Sequence, residues 1–78
     1  MERTGRVFLN GLGERIRLIR QERKMTQKEL GYLIDMEDAN LNRIEKGKTN
    51  PTALTLRKIC LALDITISDL FSNAENNV

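Results

Sequence analysis

Histidine is missing from this chain, and cysteine occurs once. Without His and with a single thiol, no cluster of metal ligands can form. A lone Cys cannot close an internal disulfide, which fits a reducing cytoplasm. No apolar run approaches the roughly 20 residues that a membrane span needs, and Met1–Asn10 has no signal-peptide apolar region. No convergent carboxylate pair supplies acid–base chemistry, so the chain is not expected to be an enzyme. No cofactor and no small-molecule effector is expected. What remains is a soluble, cytoplasmic module whose business is binding.

At 78 residues the chain suits one small domain, with a core marginal enough that an association partner would help it. Net charge is only +2, so its distribution is more informative than its sum. Residues 1–28 carry eight Arg/Lys against Glu2, Glu14 and Glu22. Residues 29–41 carry Glu29, Asp35, Glu37 and Asp38 with no base, and residues 42–58 return to Arg43, Lys46, Lys48, Arg57 and Lys58 against Glu45. Two basic segments flank an acidic one. Solvated helix faces give the same pattern, so charge alone does not decide the matter.

The stretch Thr26–Gly47 organises the chain. Thr26-Gln27-Lys28-Glu29 is a capping box, and Met25 with Leu30 completes a hydrophobic staple. Leu30, Leu33 and Ile34 are the expected inner face of the helix that follows. Gly31 interrupts it at a cost of about 1 kcal/mol relative to Ala, which a second helix crossing very closely would justify. Asp35-Met36-Glu37 reads as a turn, with Asp35 tolerant of the left-handed conformation and Met36 pointing inward. The next helix spans 38–46, buries Leu41 and Ile44, and stops at Gly47. Its other face is polar: Asp38, Ala39, Asn42, Arg43 and Lys46. Two short helices joined by a tight turn define a helix-turn-helix.

Upstream, Leu9, Leu12, Ile16 and Ile19 keep the three-and-four spacing of a buried helical stripe. Asn10 is the expected N-cap, with Gly11 and Gly13 weakening the first turn. Residues 1–9 then form an arm. Its Val7, Phe8 and Leu9 either cover the core or join a subunit contact, and Arg3 and Arg6 could reach phosphates. Downstream, Lys48–Pro51 is a polar loop and Thr52 caps a fourth helix that turns Leu56, Ile59, Cys60 and Leu63 inward. Leu54 and Leu61 lie off that stripe. Ile65, Ile67, Leu70 and Phe71 suggest a fifth helix capped by Thr66 or Ser68. The domain is expected over 10–72, with 73–78 a frayed tail.

Taken in order, ERIRLIRQERKMTQKEL, NLNRIEKGKTNP and LRKICLALDITISDLF resemble the Cro/phage-repressor type of helix-turn-helix proteins, the Xre family. The likeness covers roughly Leu12 to Phe71. It implies an all-α, five-helix, lambda-repressor-like domain with its helix-turn-helix at about 26–46. It further implies a transcriptional regulator, acting as repressor or controller protein, that binds double-stranded DNA as a homodimer. The 38–46 helix would enter the major groove of a pseudo-palindromic operator, and the protein would be nucleoid-associated when bound. The chain looks like the small stand-alone members, with no separate effector domain.

Position by position, the resemblance assigns base contacts to Asp38, Ala39, Asn42 and Arg43. It assigns contacts to the DNA backbone to Gln27, Lys46, Lys48 and Asn50, with Gln27 holding a phosphate through its side chain and helix N-terminus. Arg20 and Glu45 match a structural pair that ties the first helix to the end of the recognition helix. Leu61, Ile67, Leu70 and Phe71 are the expected dimer contact. Arg43 is the leading base reader, since Arg donates twice to guanine for roughly 1–3 kcal/mol of discrimination. Otherwise it touches only phosphate. Asn42 either pairs with adenine or solvates its face.

Three positions depart from the family pattern. Asp35 stands where Gly is usual, Gly31 where Ala is usual, and Glu37 where a Ser/Thr cap is usual. The pair Glu37 and Asp38 favours its own helix dipole, repels phosphate, and could accept from a cytosine N4 amino group. The competing reading is a protein-interaction or antitoxin-like module on the same fold, with Tyr32, Leu54 and Leu61 as its surface.

Overall fold

Leu9, Leu12, Ile16 and Ile19 fill one side of the first helix, and all four are buried. In the computed structural model, which describes residues 3–75 and the side chains of 4–72, this helix (α1) spans Arg3–Glu22. It starts about two turns earlier than its sequence suggests. Asn10 is therefore not a cap, and residues 3–9 are not an arm but a continuation of α1. Met1 and Glu2 lie outside the described residues.

The cause is tertiary. Phe8 meets Phe71 edge-to-face, with ring centroids 5.6 Å apart and planes at 75°, an arrangement that suits the charge distribution of the two rings. Leu9 is buried and Phe8 packs against the core. The extra turns form because a distant helix gives them something to cover.

Four more helices follow: α2 (Gln27–Leu33), α3 (Asp38–Glu45), α4 (Ala53–Leu63) and α5 (Ile67–Glu75). No strand occurs among the described residues. The starts are set locally. Thr26 Oγ1 accepts from the Glu29 amide at 3.0 Å, and Glu29 Oε1 accepts from the Thr26 amide at 2.8 Å. Thr52 Oγ1 accepts from the Thr55 amide at 3.1 Å, and Thr66 rather than Ser68 caps α5, accepting from the Asp69 amide at 3.0 Å. Of the expected frayed tail, residues 73–75 belong to α5, and residues 76–78 lie outside the described residues.

The first four helices end alike. Lys24, Asp35, Gly47 and Asp64 take φ of 59°, 56°, 73° and 59°. After each, the next amide reaches back to a carbonyl five residues earlier: Met25 to Arg20 at 3.1 Å, Met36 to Gly31 at 2.8 Å, Lys48 to Arg43 at 2.9 Å and Ile65 to Cys60 at 3.0 Å. These are Schellman stops. Three of the four left-handed residues carry a Cβ, at a cost of about 1–2 kcal/mol each, so the surrounding contacts must hold them there.

One core joins all five helices: the α1 stripe, Leu30, Ile34, Leu41, Ile44, Leu56, Ile59, Cys60, Leu63 and Leu70, with Met25 and Met36 against it. Two expectations change. Leu33 is exposed, because α2 turns only its 30/34 side inward. Leu70 is fully buried within its own subunit, where α5 presses on α1, so it is not free to contact a second copy. Phe71, half-buried against Phe8, is largely used in the same way. Of the expected dimer patch, only Leu61 and Ile67 are exposed.

Gly31 and Gly13 each mark a close approach inside the helices. A Cβ on Gly31 would lie 2.6 Å from the Met36 carbonyl oxygen. The neighbour that excludes a side chain there is the turn of the motif itself, not a crossing helix. The close helix crossing is instead at Gly13, where a Cβ would lie 2.8 Å from the Glu45 carbonyl carbon and strike the Ile44 carbonyl oxygen as well. Gly13, which looked like a flaw in α1, is the seat on which α3 rests.

Candidate nucleic-acid interface

The outward side of α3 carries Asp38, Ala39, Arg43 and Lys46, all exposed, and Asn42, half-exposed. Helical spacing puts 38, 39, 42, 43 and 46 in one stripe. Lys48 and Asn50 are exposed in the loop after Gly47, and Lys48 lines one cleft with Lys46. The four expected base-facing residues thus share one helix face with Lys46, and Lys48 adjoins it. Gln27 reaches the same surface from the start of α2, lining one cleft with Glu37, Asp38, Ala39 and Asn42.

The stripe is polarised along its length. Glu37 and Asp38 open α3, and Glu37, at the N-cap, makes no side-chain hydrogen bond to the helix. Arg43, Lys46 and Lys48 close it. Eight residues of helix separate the ends by roughly 12 Å, beyond the screening length of about 8 Å at physiological ionic strength. The acidic start therefore subtracts little from Lys46 and Lys48, whereas Arg43, roughly 7.5 Å along the axis from Asp38, lies within its reach.

Arg6, expected in a basic arm that could reach phosphates, adds to that basic end from within α1 instead. It lines a second cleft with Asn10, Lys46, Gly47 and Lys48, placing a third cation beside the loop. Its place on the helical face 6, 10, 13, 17 is legible only once α1 is known to begin at Arg3. Arg17, farther along α1, is already engaged. It binds Glu14 with Nε and the guanidinium and donates to Gln21 Oε1 at 3.2 Å. The Glu14 hydrogen bond and charge raise its pKa further.

Beneath the stripe lies a polar cluster that fixes α3 on α1. Arg20 donates from Nε to Glu45 Oε2 at 2.7 Å and from a terminal nitrogen to Glu45 Oε1 at 3.1 Å. Its remaining terminal nitrogen donates to the Met25 carbonyl at 2.8 Å. Both residues are buried, at 8% and 4% exposure, so the charges compensate one another out of water. Gln27 Nε2 then donates to Glu45 Oε1 and to Asn42 Oδ1, each at 3.0 Å. With both amide hydrogens committed to α3, the Gln27 side chain is not the free phosphate donor expected of it.

Cys60 is 3% exposed. Burial raises its thiol pKa above the ordinary value, and the Asp69 charge adds to the effect. It is a small core residue, not a nucleophile. Among the described residues, no helix is long and apolar enough to cross a membrane.

A two-helix motif with a braced second helix and a one-sided polar stripe defines a helix-turn-helix domain. The chain belongs to the helix-turn-helix family, whose model matches residues 16–70. It is 34% identical over 64 residues to the control protein C.MunI of Mycoplasma sp, covering 81% of this chain and 86% of that protein. It is also 34% identical over 64 residues to the transcriptional regulator DdrOP3 of Deinococcus deserti, where the match covers 82% of this chain but 50% of the relative. The chain thus spans about half the length of some relatives it matches. Among solved structures it resembles the restriction-modification controller protein C.Esp1396I tetramer in complex with its natural 35 base-pair operator, with a TM-score of 0.78 and 26% identity over 90% of this chain and 92% of that one.

Proposed function

We propose that this chain is a sequence-specific DNA-binding transcriptional regulator that places α3 in the major groove. The observation that carries the reading is the one-sided stripe Asp38, Ala39, Asn42, Arg43, Lys46, adjoined by Lys48 and held from behind by the buried Arg20–Glu45 pair. Arg43 reads guanine, and Asp38, Ala39 and Asn42 face neighbouring bases. Lys46, Lys48 and Asn50, joined by Arg6, follow phosphates. The operator complex of C.Esp1396I supports a duplex partner of this kind.

The working form is a homodimer in the cytoplasm, with two α3 helices about 34 Å apart on a pseudo-palindromic site. Leu61 and Ile67, exposed at 68% and 41%, are the contact. Sedimentation showing only monomer at tens of micromolar would remove the dimer from this scheme.

The test is a binding selection on random duplex DNA, run with the wild type and with Arg43→Ala. The wild type should enrich a defined sequence, and Arg43→Ala should lose roughly 1–3 kcal/mol of preference at one guanine. Removing Lys46, Lys48 or Arg6 should instead lower affinity on all sequences and flatten the salt slope by about 0.9 units per lost contact. No enrichment by the wild type at low salt refutes the regulator; enrichment unchanged by Arg43→Ala refutes the reader.

A further inference from the structure

The hydrogen bonds that run from Arg20 to Asn42 each have a fixed sense. A guanidinium only donates, so Arg20 compels nothing but acceptance from its partner. A carboxylate only accepts when ionised, so Glu45 takes from Arg20 on one side and must take from Gln27 on the other. That obliges Gln27 to turn its Nε2 inward. Its second hydrogen then points at Asn42, which has to offer Oδ1. The amide of Asn42 is left with Nδ2 on its far side. Among the described residues none accepts from Nδ2, and the one buried side-chain polar atom without a partner is Arg15 Nε, so Nδ2 is open to solvent.

Building on the proposed DNA reading, we infer that this chain of bonds makes Asn42 a donor-only base reader. The bidentate pairing of Asn with adenine needs Oδ1 for the N6 amino group and Nδ2 for N7. Here Oδ1 is drawn toward α2 by Gln27, and only the donor half faces the groove. The base that suits a lone donor best is guanine, whose O6 and N7 both accept; thymine offers O4 alone and adenine N7 alone. Adenine loses one of its two bonds, and cytosine sets an amino group against another. Gln27 is thus a specificity-determining residue that need not touch the DNA.

The same selection tests it, with three variants read together. Asn42→Ala identifies the base position that Asn42 reads, because preference there alone is lost. In the wild type that position should favour guanine over adenine and cytosine by roughly 5- to 10-fold. Gln27→Met keeps the length and removes the amide, freeing Asn42 to rotate, and adenine should then be accepted at that position. Adenine preferred by the wild type, or a preference unchanged in Gln27→Met, overturns the inference while leaving the DNA reading intact. No enriched sequence overturns both.

A second measurement needs no DNA. In the free wild-type protein, side-chain amide exchange followed by NMR should be slow for both Gln27 Nε2 hydrogens and fast for those of Asn42. The reverse order overturns the inference even if Gln27→Met fails to fold.

Discussion

Replacing Arg20 by Ala removes three hydrogen bonds at once and leaves Glu45, 4% exposed, as an uncompensated carboxylate. Breaking a buried pair from one side costs about 3–5 kcal/mol, most of it the stranded charge. For 78 residues, a total stability of about 4–12 kcal/mol is expected at 0.05–0.15 kcal/mol per residue. The variant should therefore lose about a quarter or more of its stability. In a domain of this size each kcal/mol moves Tm by about 4–8 °C, so a fall of at least about 12 °C is expected by circular dichroism at 222 nm. Urea titration gives the same quantity at constant temperature.

The double variant Arg20→Met, Glu45→Met separates charge from packing. It deletes both ions together and should recover most of the loss. Arg20→Lys, which keeps the charge but not the planar fork, should fall between wild type and Arg20→Ala. A loss below about 1 kcal/mol in Arg20→Ala is the behaviour of a solvated surface pair, and would refute the brace. So would a double variant no more stable than the single one.

Two shorter predictions follow from the packing. Gly13→Ala forces a methyl against the Ile44 and Glu45 carbonyls, and should destabilise by about 1–3 kcal/mol; a urea midpoint at or above wild type would mean the crossing is not tight. Cys60, buried and with its pKa raised by burial, should react with an aromatic disulfide reagent only as fast as the domain opens, and rapidly in denaturant. Stoichiometric labelling of the folded protein within seconds would contradict that placement.

What could be read from the sequence was whatever neighbouring residues decide among themselves. The capping box at Thr26–Glu29 closes over four residues, and the stripe from Leu9 to Ile19 needs only its own period. The start of α1 was not legible, because Phe8 becomes helical by covering Phe71, far along the chain. The fate of Leu70 was hidden for a related reason. A short α5 with apolar residues at 67, 70 and 71 has more than one side to bury, and only the docked helix reveals the choice. At the interface, residue identities marked the stripe on α3 while leaving the commitment of Gln27 invisible, since that commitment is a bond between α2 and α3.

The Schellman stops on either side of α2 have a mechanical consequence. Segments 23–26 and 34–37 are spent almost wholly on reversing the chain, with Lys24 and Asp35 already in the left-handed well. Such joints have little slack, and with a third stop at Gly47 beyond α3 the two helices of the motif are expected to move together as a rigid body. A rigid reader on the proposed operator leaves the duplex to do the bending. Stiffness of base steps that no side chain touches would then enter the affinity. Exchanging flexible pyrimidine–purine steps for stiff A-tracts beside the contacted bases should weaken binding, whereas an affinity indifferent to that exchange would place the compliance in the protein.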